Sequence, residues 1–150
     1  MKYKLPPVVV FMVFGLLMYL LASYLPVGNF DFFGRYPLAI GISGIALLLA
    51  LLSLYQFAKA KTTVDPIKPS KASVLVVSGI YQYTRNPMYL ALLLILIAIG
   101  LKLGNAFNTI IAAGFVYFMN HFQIKKEEEA LLKLFGKDYR LYCKAVRRWF

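Results

Sequence analysis

Acidic and metal-ligating side chains are scarce in this chain: of 150 residues, six are Asp or Glu, one is Cys and one is His. A lone thiol, Cys143, cannot close a disulfide within the chain. One histidine leaves no cluster from which to build a zinc or iron site, so no metal chemistry is expected. No G-x-G-x-x-G fingerprint is present, which removes the usual sequence signal for a dinucleotide. Internal repeats and low-complexity tracts are also missing, and no stretch is suited to a separate soluble domain.

Apolar residues are what the chain has in excess. They make up 61% of it, where roughly 45–50% is usual for a soluble domain. The net charge of +11 is spread between apolar runs of bilayer length, so the acidic partner it implies is a headgroup layer rather than nucleic acid. Runs of the required ~20 residues cover Pro6–Leu25 and Pro37–Phe57. The first lacks a convincing small-x-small cleavage pattern and reads as a true span. From Met88 to Phe122 one charge, Lys102, interrupts the apolar stretch. It lies in GLKLGN, Gly100–Asn105, which predicts a helical hairpin with arms Met88–Leu101 and Gly104–Phe122. The expected fold is therefore an all-α integral membrane protein with about four transmembrane helices and a C-terminal amphipathic cytoplasmic helical segment. Of the seventeen Lys and Arg, all but Arg35 and Lys102 fall in the N-terminus, the second connection or the tail, which predicts a multi-pass protein with both termini cytoplasmic.

The second connection contains Pro66 and Pro69, then the β-branched run Ser73–Gly79, which suits a buried extended segment. Beyond Phe122 the tail reads as a helix over Gln123–Gly136. At ~100° per residue, Ile124, Leu131, Leu132, Leu134 and Phe135 share a side. Glu128 projects into that arc and Glu127 sits on its flank, while Glu129 points away toward Lys133. A carboxylate on an apolar face has to be paired, protonated or aimed at a ligand. Either the basic loop neutralises Glu127 and Glu128, or they receive a cationic group. Gly136 has the character of a helix stop. After it, Tyr139, Tyr142, Val146 and Trp149 recur at helical spacing among basic residues, the pattern of an interfacial anchor.

The remaining feature is SGIYQYTRNPMYL at the start of the third span. Asn86 suits an N-cap and Pro87 the first helical position. Such a helix start leaves backbone N–H groups free, and Arg85 adds a charge beside them, which makes an anion site. An anion site, two inward carboxylates and aromatic walls from Tyr81, Tyr83 and Tyr89 fit one ligand carrying a zwitterionic amino-acid tail on a ring. S-adenosylmethionine has that shape.

The segments TTVDP, LVVSGIYQYTRNPMY and IKKEEEALLKLFGKDYRLYCKAVRRW, within about Lys61–Phe150, resemble the membrane-embedded methyltransferases of the isoprenylcysteine carboxyl methyltransferase family and their bacterial and archaeal relatives, including the phospholipid methyltransferases. The resemblance implies an S-adenosyl-L-methionine-dependent enzyme whose cofactor enters from the cytosol and whose lipophilic or small acceptor (a prenylcysteine carboxylate, a thiol or a lipid amine) arrives from the bilayer. It implies a cofactor pocket lined by Ser73, Val74, Leu75, Val76, Tyr81, Asn86, Pro87, Met88 and Tyr89. Glu127 would bind the cofactor's amino group, Glu128 would stand beside it, and Arg85 and Glu127 would serve the reaction. Members of the eukaryotic branch carry Arg-His-Pro where this chain has Arg85-Asn86-Pro87, and an arginine thought to meet the acceptor carboxylate where it has Gln123. Gln123 would then border the acceptor, and a neutral amide is a poorer anchor for a carboxylate. The chain is expected to be one domain over 1–150, with residues 1–57 as two accessory spans and 58–150 as the core. Two other readings are an NADPH-dependent reductase of the sterol-reductase type and a non-catalytic membrane subunit.

Overall fold

The structure, a computed structural model, describes residues 5–25, 27–61 and 74–150. Helix α1 (Pro7–Tyr24) opens with a proline where no intrahelical N–H bond is needed. Helix α2 (Arg35–Lys59) closes on a lysine that complements the carbonyl end of its dipole. These two are long and apolar enough to cross a bilayer. The hairpin is present as α3 (Pro87–Leu103), a turn at Gly104, and α4 (Asn108–Phe118). At 17 residues α3 is ~25 Å long, shorter than a bilayer's hydrocarbon core.

The second arm does not stop at Phe122. Through a single π-helical turn, Met119–Ile124, α4 runs directly into α5 (Lys125–Ala145). Gly136 bends α5 rather than ending it: its φ of 51° breaks the helical path, and helix resumes beyond it. The part of the β-branched run that is described, Val74–Gly79, forms no strand. Val76 is buried while Val74 and Val77 are exposed, so one side chain anchors an irregular segment. A short 3-10 turn, Gly79–Gln82, carries the chain to α3.

Helix α3 is the centre of the packing, in contact with α1, α2 and α4. Its two flanks are built differently. Toward α1, α4 and the π-helical turn it packs large side chains, with Tyr89, Leu93 and Leu96 against Val10, Met18, Phe115, Met119 and Ile124. Phe14 meets Phe115 edge to face at 5.6 Å. Toward α2 the seam is made of small residues at heptad spacing: Ala39, Ala46 and Ser53 on α2, Ala91 and Ala98 on α3, all buried. In lipid, where apolar burial between helices gains little, such close backbone approach is what holds two helices together. The outward faces of α1 and α2 remain apolar and exposed, as at Met12, Leu16, Ile40 and Leu47.

The hairpin end is tied down by backbone and side-chain bonds. Phe30 N donates to Gly104 O at 2.9 Å and Ala106 N to Gly28 O at 2.8 Å. Asn105 Nδ2 donates to Val27 O at 3.0 Å, and Arg35 Nη1 to Phe30 O at 2.7 Å. Gly104 has φ +68°, and a Cβ there would collide with the Arg35 guanidinium and crowd Phe30 O. Gly104→Ala is therefore expected to cost at least the ~1–2 kcal/mol of a left-handed L-residue, seen as a lower melting temperature in detergent.

Candidate functional site

A cavity of about 300 Å³ lies between the opening turn of α3 and the inner face of α5. That is the lower end of the range for drug-sized ligands. Its walls come from several parts of the chain: Pro7 and Val8 of α1, Ala50 and Phe57 of α2, Val74–Val76, Tyr81, Arg85–Tyr89, Glu127, Glu128 and Leu131, and Tyr139 and Tyr142 beyond the Gly136 bend. The polar groups gather around Arg85, Asn86 and the two glutamates, while Val8, Ala50, Leu92 and Ile95 make an apolar remainder.

The three tail glutamates differ as their helical positions predict. Glu129 is exposed, whereas Glu127 and Glu128 are partly buried on the cavity wall. Glu127 Oε1 accepts from the Tyr89 hydroxyl at 2.6 Å and from Gln123 Nε2 at 2.7 Å. Glu128 is held by cations. Arg148 grips it with Nε at 2.8 Å and Nη2 at 2.6 Å, and Arg85 Nη1 lies 3.2 Å away. A forked guanidinium–carboxylate pair is the strongest geometry for this kind of contact, and it holds Arg148 more firmly protonated than usual, mainly through the hydrogen bond to Glu128. For Glu128 the neutralised reading is thus the observed one, although one of its cations comes from the C-terminus rather than the basic loop.

Asn86 takes the N-cap position of α3 without capping it: its side chain makes no bond to the helix amides. Its Nδ2 instead donates to Arg148 O at 3.0 Å, and its backbone N–H donates to Thr84 Oγ1 at 3.2 Å. The first-turn amides of α3 are thereby not consumed by their own cap, and they are the donors an anion would meet. Arg85 does not stand as an unpaired cation beside them, since it contacts Glu128 and the Cys143 sulfur.

Three tyrosines close the site. Tyr142 donates its hydroxyl to Tyr81 O at 2.7 Å, and the Tyr81 and Ser53 hydroxyls lie 2.7 Å apart. Burial, then the neighbouring Cys143 and Glu128, keep Tyr139 protonated well above the ordinary tyrosine range. Burial does the same for Tyr142. Burial pushes Tyr81 up to about 12, with the Ser53 bond opposing it in part. Because the folded value lies above the ordinary one of ~10, the neutral phenol's stabilisation is complete below pH ~10 and is lost as pH rises toward 12. A Tyr81→Phe protein is expected to lack that part of the alkaline loss in a thermal-melting series from pH 9 to 12.

Of the residues singled out in the sequence, Val74, Leu75, Val76, Tyr81, Arg85, Asn86, Pro87, Met88, Tyr89, Glu127 and Glu128 all line this cavity. Ser73 lies outside the described residues, as does the TTVDP segment. Gln123 is buried and does not line the cavity; it stands behind Glu127, four residues before it on the same helix, and bonds to it. Leu132 and Leu134 face outward instead of joining the inner arc. Tyr139, Tyr142 and Leu131 were missed as site residues. The i,i+3 tyrosine pair is itself the signal for two of them, but on sequence it reads as an interfacial anchor with its aromatic face toward lipid or protein, and beyond the bend at Gly136 that face meets the cavity.

A family model described as phospholipid methyltransferase matches residues 34–138. An uncharacterized protein of Haemophilus influenzae is 48% identical over 62 residues, 41% of this chain and 98% of that protein. The protein-S-isoprenylcysteine O-methyltransferase of Schizosaccharomyces pombe is 27% identical over 118 residues, 79% of this chain. The chain spans about half the length of that yeast relative, 50% of it.

Proposed function

The chain belongs to the phospholipid methyltransferase family, a membrane methyltransferase with isoprenylcysteine O-methyltransferase among its relatives, and from that premise we propose that it uses S-adenosylmethionine to methylate a lipophilic acceptor at the cytoplasmic interface. The observation that carries this reading is the single cavity in which Glu127, the α3 start and an aromatic wall meet. Its polar end suits the charged tail of that cofactor, and its apolar remainder suits a lipophilic acceptor. Four spans, cytoplasmic termini and one domain over residues 1–150 complete the reading. The spans are supported by the two long apolar helices and the α3–α4 hairpin, and the cytoplasmic termini by the Lys and Arg distribution.

When bound, the cofactor supplies an electrophilic methyl group on a sulfonium. Glu127 presents a carboxylate oriented by Tyr89 and Gln123 toward a cationic amino group. The first-turn amides of α3 present donors to a carboxylate. Asn86, whose amide donor is already engaged by Arg148 O, contributes less to that anion than its cap position suggests. Val8, Ala50, Leu92 and Ile95 exclude water from the reacting end. In-line displacement asks mainly for alignment and desolvation, so the chain's task is to hold two partners in a dry slot; an amine or thiol attacks as the free amine or thiolate, its proton having passed to water at the interface before the acceptor is enclosed.

Acceptor class follows from charge. Among the described residues the cation on the cavity wall is Arg85, which shares the one carboxylate of Glu128 with Arg148 and also contacts the Cys143 sulfur, so it is held in place rather than fully neutralised. Gln123, at the position where an arginine would meet a carboxylate, is engaged with Glu127 instead. We therefore favour a lipid amine or a thiol over a prenylcysteine carboxylate. The test is transfer of a labelled methyl group by the full chain in lipid nanodiscs, with an amine-bearing phospholipid, an alkyl thiol and a prenylcysteine offered separately. Labelling of the amine or thiol is expected. Labelling of the carboxylate alone would reverse the acceptor assignment, and failure to bind S-adenosylhomocysteine would remove the cofactor.

A further inference from the structure

The last five residues of the chain do something that neither the family match, which ends at 138, nor the anchor reading accounts for. Helix α5 stops at Ala145, Val146 turns extended with φ −126° and ψ 134°, and the chain then crosses the opening of α3. Arg85 N donates to Arg147 O at 3.0 Å. Thr84 Oγ1 and Asn86 Nδ2 both donate to Arg148 O, at 3.1 and 3.0 Å. The Arg148 side chain forks onto Glu128. Trp149 Nε1 donates to Asn120 Oδ1 at 3.1 Å on the π-helical turn, and its ring packs against the α1–α3–α4 core. Arg147, Arg148 and Trp149 thus tie the start of α3 to the π-helical turn and the α5 that follows it, stretches far apart in sequence.

We infer that Val146–Phe150 is a strap whose Arg148 is a positioning residue for the cofactor site, fixing Asn86 through its carbonyl and Glu128 through its guanidinium. Neither Arg148 nor Trp149 lines the cavity; Arg148 acts through Asn86 and Glu128, which do, while Trp149 fastens the strap to Asn120 on the π-helical turn, which does not. The arrangement is economical in its chemistry. One residue sets the amide orientation of Asn86, which frees the first-turn amides of α3 from side-chain capping, and at the same time supplies, beside Arg85, the forked cation on Glu128. On the same wall, Glu127 accepts from Tyr89 and Gln123.

This inference rests on the cofactor reading above, and its test separates the two. The full chain in detergent is compared as wild type, Arg148→Met, Arg148→Lys and Trp149→Phe. The measurements are S-adenosylhomocysteine binding by titration calorimetry, melting temperature, and amide hydrogen exchange over residues 78–90. Arg148→Met is expected to weaken binding by about tenfold, the order of a lost charge-assisted hydrogen bond. Exchange at the start of α3 should rise while exchange in α1 and α2 is unchanged. Arg148→Lys, which keeps the charge but not the fork, should fall between. Trp149→Phe keeps the ring in the core and loses only the bond to Asn120, so it reports on the strap should Arg148→Met fold poorly. Undiminished affinity in Arg148→Met and Trp149→Phe, or a loss of affinity only in step with melting temperature, overturns the positioning role. If the wild type itself does not bind S-adenosylhomocysteine, the cofactor reading fails; exchange over residues 78–90 then decides the strap, faster in the variants if it holds and unchanged if it does not.

Discussion

Glu127→Ala is expected to lower S-adenosylhomocysteine affinity by about a hundredfold and to bring methyl transfer close to background, a loss of ~3 kcal/mol typical of a hydrogen bond to a charged group. The size of the effect comes from how the carboxylate is held. Tyr89 and Gln123 both donate to its Oε1, so it is pre-oriented and a ligand pays little to order it. Removing it also leaves the Tyr89 hydroxyl, on a largely buried residue, without that acceptor. Glu127→Gln should recover part of the binding, since an amide oxygen still accepts from Tyr89 while the charge is gone. The control is Glu129→Ala, two positions on and exposed, which should bind as wild type does. Calorimetry on the three proteins decides the matter, and wild-type affinity in Glu127→Ala would remove Glu127 from the site.

The second large effect is expected far from the polar groups. Ala46 is fully buried on the α2 face that meets α3, so Ala46→Leu has no empty volume to enter. Overpacking of this kind costs ~1–3 kcal/mol. Here the strain would also separate two helices whose affinity depends on close approach. The damage extends to the cavity, because α2 contributes Ala50 and Phe57 to its wall and Ser53 to the Tyr81 hydroxyl. A lower melting temperature together with weaker cofactor binding is the expected pair of results. Leu47→Ala, one residue away on the exposed side, should stay within ~0.5 kcal/mol of wild type. An unchanged melting temperature in Ala46→Leu would mean that α2 is not held by this seam.

Much of the fold was legible because lipid imposes a simple rule: apolar runs of sufficient length become helices, and a Gly-rich break between two of them becomes a turn. The inward direction of Glu127 and Glu128 was legible for a similar reason, since 3.6-residue periodicity separates them from Glu129. What could not be read was pairing at a distance. Nothing local in Asn86 says that its amide will reach a carbonyl 62 positions on, rather than its own helix. Gln123 looks like a residue facing a substrate until its neighbour one turn later takes its donor. The tyrosines at 139 and 142 were misread because a wheel shows which residues share a face but not what that face meets, and Gly136 re-aims the face after the wheel has ended.

The π-helical turn at Met119–Ile124 carries a final consequence. Adding or removing a single position in a helix swings everything downstream by about 100°, and a π-turn is a place where one such extra position is accommodated. The wide turn therefore gives the tail, including the direction in which Glu127 and Glu128 point, the angular phase of a helix one residue shorter. A one-residue deletion within it would close it to an ordinary α-helical turn and leave both carboxylates aimed at the cavity, whereas the same deletion in the regular part of α4 would swing them off it with every side chain of the site intact.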